Sequence, residues 1–385
     1  MLTESGCTQR QQNLFALLPG DVEWVLVGDP RHVQYFCGFR ANPISFSAFE
    51  SALLLMQRDG TSVLLADNFT RRTAADPVYA FREEIAAWYD HKHSVINRDH
   101  ILRDLVARHT RDLDVAQGLI EAEAISAAIA SVVGNVRSQV ATESGQQSTG
   151  SMIRQLRRCK LPDEIELLRR CMDAGAAGQL AAFQAVRAGV TEIDVYLAVQ
   201  AAAQQAAGRA AVVYGDFRAT NASSFKAGGL PTDYVLQAGD LFILDFSVVI
   251  AGYRSDFTNT VAVGVPSAEQ LSQADACISA LRNAEQSLRA DELCSNIFTA
   301  ADNVLVERGF AGLSHHAGHG LGMEHPEPPI LVPESIDILR TGDVITLEPG
   351  LYVEGTGGMR FEHNYLITEQ GAERLSHHRL GLQAG

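Results

Sequence analysis

A chain of 385 residues exceeds one ordinary domain, so two domains of unequal size are expected. With 46% hydrophobic, 20% charged and 7% aromatic residues, the composition is that of a globular enzyme with a sizeable core. The formal charge of −15 leaves no basic surplus to neutralise phosphates, which argues against nucleic acid and anionic membrane surfaces as partners.

The first part of the chain alternates strand-like and helix-like stretches. Val22–Gly28 and Ser51–Met56 read as strands, and Gln57-Arg58-Asp59-Gly60 reads as a turn into a further strand over Ser62–Ala66. Arg98–His109 and Ala122–Val133 carry helical spacing, which together with the strands predicts an α/β domain. Between Val136 and Ser151 the polar run VRSQVATESGQQSTGS is the expected linker, placing the boundary near residue 150 and giving domains 1–150 and 151–385. Met152–Cys159 is expected as an edge strand. A helix should open at Lys160–Glu164, with apolar residues recurring through Ile165, Leu168, Met172 and Ala176. A second helix should follow, with Thr191 as cap, Asp194 three residues on and an Ala/Gln-rich body over Val195–Ala207. From about residue 234 strands with tight Gly turns dominate, interrupted by one helical block over Ala268–Gly309. The second domain is therefore expected to be α+β with a largely antiparallel, curved sheet.

The cysteines Cys7, Cys37, Cys159, Cys171, Cys277 and Cys294 form no C-x-x-C pair, a spacing that fits reduced thiols better than a disulfide framework. The N-terminal MLTESGCTQRQQNLF lacks a basic region followed by an apolar one, and no segment approaches the roughly 18 uninterrupted apolar residues of a membrane span. A cytoplasmic location is expected.

Chemistry concentrates in the second half. Leu241–Ile250 and Tyr253–Val263 read as a β-hairpin joined by Ala251-Gly252. That register sets Asp245 opposite Thr258 and places Asp245 and Asp256 on one sheet face as diagonal neighbours, roughly 7–8 Å apart. A one-residue slip would put them on opposite faces. An Asp amid LFIL and FSVVI is expensive to ionise unless it is paired or bound to a metal. Ser314–Pro329 (SHHAGHGLGMEHPEPP) adds four histidines among glycines, either a surface cluster or a ligand-bearing loop. Asp343–Tyr352 delivers Glu348 before a Pro-Gly break, and Gly357–Thr368 carries Glu362 with Arg360 two residues earlier. Two Asp, two Glu and a His form a hard, oxygen-rich set. Such a set suits a pair of divalent ions, of Mn, Co, Fe or Zn, better than a thiolate-favouring structural zinc. Two ions about 3.5–4 Å apart can activate a water for hydrolysis of a carbonyl compound. No G-x-S-x-G elbow, reactive Cys context or G-x-G-x-x-G turn competes with this reading.

The ordered set D-x10-D, G-H-G-L-G-M, L-E-P-G-L-Y and G-G-M-R-F-E resembles the pita-bread metallopeptidases, which include prolidase, aminopeptidase P and methionine aminopeptidase. Arg31–Phe39 (RHVQYFCGF) resembles the creatinase-like N-terminal domain of the prolidase branch, and Lys160–Leu168 its approach to the catalytic domain. The resemblance implies that Asp245, Asp256, His319, Glu348 and Glu362 are metal ligands for two ions, manganese first among them. Asp245 and Glu362 would bridge or flank both ions, and Glu348 would also handle the proton of the attacking water. It further implies that Arg360 orients carboxylates and that His315 faces the substrate. The substrate would be a proline-containing di- or oligopeptide, and the protein a homodimer. The chain departs from the family pattern where L-P-H-G is usual, Gly228 standing in for the histidine, and at Pro326, seven residues after His319. His325, one residue before Pro326, is expected to take over as the donor to the oxyanion. The leading reading is hydrolysis of Xaa-Pro bonds, foremost in dipeptides, with aminopeptidase P activity on longer peptides the nearest alternative, which these motifs do not separate. A binding protein that has lost catalysis and creatinase-like C–N hydrolysis are the alternatives from other classes.

Overall fold

A computed structural model describes residues 1–41, 52–73, 76–88, 92, 99–142 and 145–383. The chain divides into two compact units, Met1–Arg157 and Arg158–Gly385.

In the first unit a five-stranded sheet runs in the order Arg82–Ala86, Ser62–Asp67, Ala52–Gln57, Trp24–Val27, Gly118–Ile120. Its two outer pairings are parallel and its two inner ones antiparallel, so it is a mixed α/β sheet. Strand alternation sends Trp24, Leu26, Leu53, Leu55 and Leu65 to one face, where Leu102, Leu105, Val106 and Ile129 from two helices cover them. Those helices are Asp99–Thr110 and Ala127–Val133; Ser51 and Arg98 of the expected elements lie outside the described residues. The stretch expected as a linker is instead the antiparallel pair Gln139–Thr142 and Gly145–Ser148, within the first unit. The expected edge strand is a helix, Thr149–Leu156, whose N-terminus Ser148 caps by accepting from Ser151 N at 3.2 Å.

The second unit opens with helix Pro162–Ala185, where Glu164 reaches back to Leu161 N at 2.9 Å. Helix Glu192–Ala207 follows, with Thr191 and Asp194 forming the reciprocal cap expected of them. The expected single helical block is two helices, Ala268–Glu285 and Cys294–Glu307. The described strands of this unit pair antiparallel throughout. One sheet contains Val212–Thr220, Leu241–Ile250 and Phe257–Ala262. Another runs Glu327–Leu331, Gly318–Gly320, Val344–Leu347, His363–Thr368, Gly371–Arg374.

The central hairpin has the expected register: Tyr253 pairs with Ile250, Phe257 with Phe246 and Thr258 with Asp245. Its turn needs two left-handed residues, and Ala251 (φ 49°) and Gly252 (φ 83°) supply them. Period-two alternation then separates two faces. Phe246 and Phe257 stack on one, with ring centroids 6.1 Å apart, against helix Pro162–Ala185. That helix approaches so closely that a Cβ on Gly175 would lie 2.0 Å from the Phe257 ring. The opposite face carries Asp245, Asp256 and Thr258. Leu244 and Phe246, which flank Asp245, thus belong to the back of the hairpin, and the carboxylate to its front.

Candidate metal centre

Three segments converge on the front of this hairpin. Glu362 N donates to Thr258 O at 3.0 Å and Arg360 N to Thr260 Oγ1 at 3.0 Å, which lays the Gly357–Arg360 strand and the residues after it along Phe257–Ala262. Glu348 N donates to Ala317 O at 2.9 Å, which sets Glu348 beside the strand that bears His319. Glu362 lies in the break between the strands Gly357–Arg360 and His363–Thr368, rather than within one strand.

The five residues expected as ligands come together. Oxygens of Asp245, Asp256 and Glu362 lie within 4.8 Å of one another. His319 Nε2 lies 3.2 Å from Glu348 Oε1 and 3.5 Å from Asp256 Oδ2. His319 Nδ1 sits 2.8 Å from the Gly320 carbonyl, which can only accept, so Nδ1 carries the hydrogen and Nε2 is left to face the carboxylates. Arg360 Nη2 pairs with Asp245 Oδ2, while its Nη1 donates to the Tyr352 hydroxyl at 2.5 Å.

The electrostatics are those of a site short of positive charge. Burial lifts the Asp245 carboxyl to about 6 against the pull of Arg360, and the charges of Asp256 and Glu348 push the same way as burial. Burial and the same neighbouring carboxylates hold Glu362 well above the usual range. Its Oε2 accepts from Thr258 Oγ1 at 2.6 Å, but its buried Oε1 has no partner. Burial disfavours the charged form of Glu348 and of His319. Their hydrogen bond reverses this, drawing the glutamate down and raising the histidine to about 9. A positive charge is therefore favoured at Nε2, and the four carboxylates as a set require more of it than one proton brings. Hard oxygens, one correctly oriented imidazole and an orphaned buried carboxylate oxygen fit a divalent cation centre.

Beside the cluster opens a cavity of about 520 Å³, lined by Lys226, Gly228, His315, His316, His325 and Pro326 together with ligand candidates. His315 lies here as expected, its Nδ1 2.7 Å from the His316 carbonyl and its buried Nε2 without a partner. His316, which the motifs did not single out, places Nε2 3.0 Å from Glu348 Oε1. Burial keeps both imidazoles below their ordinary pKa and so neutral. Lys226, on the same wall-forming stretch as Gly228, is a further lining residue that the motifs do not single out. His325 Nε2 lies 2.9 Å from Asp256 Oδ2, and the ring centroids of His325 and His319 are 4.7 Å apart.

A profile of metallopeptidase family M24 matches residues 166–369, more than half of the chain. The chain belongs to metallopeptidase family M24. An uncharacterized peptidase of Staphylococcus aureus is similar to this M24 chain, at 27% identity over 368 residues that cover 93% of it and 95% of the relative. The fold of the present chain is similar to that of the X-Pro aminopeptidase from Thermotoga maritima (TM-score 0.78, 21% identity, covering 98% of this chain and 99% of that one). The Xaa-Pro dipeptidase from Bacillus anthracis is nearly as similar (TM-score 0.76, 20% identity, covering 99% and 99%). The α+β pita-bread architecture expected from the motifs is thereby established for this M24 metallopeptidase.

Proposed function

We propose that this metallopeptidase hydrolyses Xaa-Pro bonds, foremost in dipeptides, with two divalent cations held by Asp245, Asp256, His319, Glu348 and Glu362. The observation that carries the reading is the buried excess of carboxylate, above all the unpartnered Oε1 of Glu362. Ions bound there would supply Lewis acidity and bring the ionisation of a water near neutral pH. Asp245 and Glu362 would face both ions, and Arg360 would fix the orientation of Asp245. Glu348 takes the proton of the attacking water on a carboxylate oxygen. His316, neutral and 3.0 Å from Glu348 Oε1, is placed to pass that proton toward the leaving nitrogen.

A cavity of about 520 Å³ has room for a dipeptide. Among the described lining residues the only Lys or Arg side chains are Lys226 and Arg360, and Arg360 is already engaged by Asp245. Lys226 is thus the natural partner for the free carboxylate of a dipeptide's proline. The hard donor set supports manganese, six free cysteines support a reducing cytoplasm, and Leu180 and Leu197, 62% and 53% exposed, support burial in a homodimer. Among the described residues no helix is long and apolar enough to cross a membrane.

With Mn²⁺ present, Ala-Pro should exceed Ala-Ala in kcat/KM by about a hundredfold or more, and equal rates would refute proline selectivity. Lys226→Ala should raise KM for Ala-Pro about tenfold, the worth of one charge-assisted contact, and leave the C-terminal amide of Ala-Pro little changed. Faster cleavage of longer Xaa-Pro peptides than of Ala-Pro would instead make the enzyme an aminopeptidase P.

A further inference from the structure

The histidine expected to serve the substrate has a different neighbour. His319 stands on one limb of a tight reversal and His325 on the loop that closes it: Gly318 pairs with Leu331 and His319 with Ile330, and after a bulge Gly320 pairs with Glu327. Residues 321–326 are the connecting loop, so the chain turns back over His319. The loop is pinned from beneath by Glu327, 2% exposed, whose Oε1 accepts from Met323 N and Glu324 N at 2.9 Å each. Lys160 Nζ lies 3.4 Å from the other oxygen of Glu327. This fixed loop delivers His325 Nε2 to within 2.9 Å of Asp256 Oδ2, the same oxygen that lies 3.5 Å from His319 Nε2. Ligand atoms of Asp256, His319 and His325 all lie within 4.8 Å of one another.

We propose that His325 is a sixth ligand of the dinuclear centre, completing an Asp256–His319–His325 position for one of the two ions. This rests on the two-cation reading above. A nitrogen held against a ligand carboxylate oxygen, next to a second imidazole, is placed to share the cation those groups hold. His325 also lines the cavity, and the contact its Nε2 makes is with Asp256. The consequence is an asymmetric pair. The position served by Asp245 and Glu362 keeps hard oxygen donors, while the position at Asp256 gains a second imidazole. Imidazole raises affinity for Co²⁺ and Zn²⁺ relative to Mn²⁺. One ion should therefore discriminate against Mn²⁺ and the other much less.

The test is titration of the metal-stripped full-length protein with Co²⁺ alone, read by calorimetry and by the visible ligand-field absorption of the ion, with no substrate present. The wild type should take up two Co²⁺. In His325→Ala and His325→Gln, one of the two affinities should fall at least tenfold and its absorption band should shift, while the other is unchanged. The preference of that position for Co²⁺ over Mn²⁺ should fall as well. Two Co²⁺ bound by both variants with wild-type affinities and spectra would overturn the proposal and return His325 to the substrate side. A wild type that binds fewer than two Co²⁺ would overturn the two-cation reading itself, and His325 as a sixth ligand with it. Unchanged circular dichroism keeps loss of fold apart from loss of a ligand, and His319→Ala marks the signal expected when a ligand of the two-cation reading is removed.

Discussion

Each unit of the molecule buries a cluster of acid and imidazole, and the two are built to opposite balances. In the first unit Glu121, 1% exposed, accepts from Gly28 N at 3.0 Å and Asp29 N at 2.9 Å on one oxygen, and its other oxygen lies 2.5 Å from His32 Nδ1. Asp29 alongside is held by Arg31 at 2.6 Å. The carboxylates there are met by protein donors. In the second unit Asp245, Asp256, Glu348 and Glu362 face chiefly Arg360 and His319, and one Glu362 oxygen is left with nothing. Spacing alone would mark both clusters as able to hold an ion. The first cluster leaves only the His32 Nε2 unmatched, whereas the second leaves a carboxylate oxygen unmatched, and it is unmatched carboxylate that calls for a cation.

The sharpest way to break that contrast is Glu348→Gln, which removes a ligand candidate and the proposed proton acceptor together. Turnover should fall by about a thousandfold or more with the fold retained, measured as kcat on Ala-Pro with Mn²⁺. Activity near wild type would deny Glu348 its role. Glu121→Ala should act in the other direction, lowering unfolding stability by about 3–5 kcal/mol in denaturant titration because His32 and two backbone N–H groups lose their acceptor. Uptake of Mn²⁺ by the folded protein should be unchanged, and an altered Mn²⁺ stoichiometry would show that the first cluster is not merely structural. The smallest effect concerns Asp29. Burial would raise its carboxyl, but Arg31 and His32 outweigh burial and hold it at about 2, below the ordinary value of 3.8. Its contribution is therefore present above about pH 4 and lost as the pH falls toward 2. Discounted for solvent screening, Asp29→Asn should remove about 1 kcal/mol at neutral pH and flatten the acid limb of the stability curve. An unchanged acid limb would leave Asp29 with no such part.

Where period and turn chemistry act over a few residues, the sequence was readable. Ala251-Gly252 fixed the hairpin register, and that register alone put Asp245 and Asp256 on one face. Thr191 and Asp194 announced their helix. The expectation of a strand over Met152–Cys159 fails because so short a stretch shows no period of its own, and Ser148, which decides the matter, lies inside the expected linker. His316, Lys226 and the aim of His325 were illegible for a different reason. Glu348 beside His316 and Asp256 beside His325 arrive from distant segments, as do the residues that share a cavity with Lys226, and only the packed sheets bring them together. The resemblance ranked His325 by its offset from His319, whereas the bulge in the pairing of Gly318–Gly320 decides which way the loop returns.

The front-and-back division of the central hairpin also limits how this enzyme can change over time. The apolar side chains on the Asp245 strand can be exchanged one at a time for others of similar size, because such an exchange leaves the alternation intact. Length cannot drift in the same way. One residue inserted or lost between Asp245 and Asp256 would turn Phe257 toward the acids and Asp256 toward Gly175, where a Cβ on the helix would already clash with a ring. The ten residues between the two aspartates are a gauge, and a lineage that keeps the chemistry must keep their number.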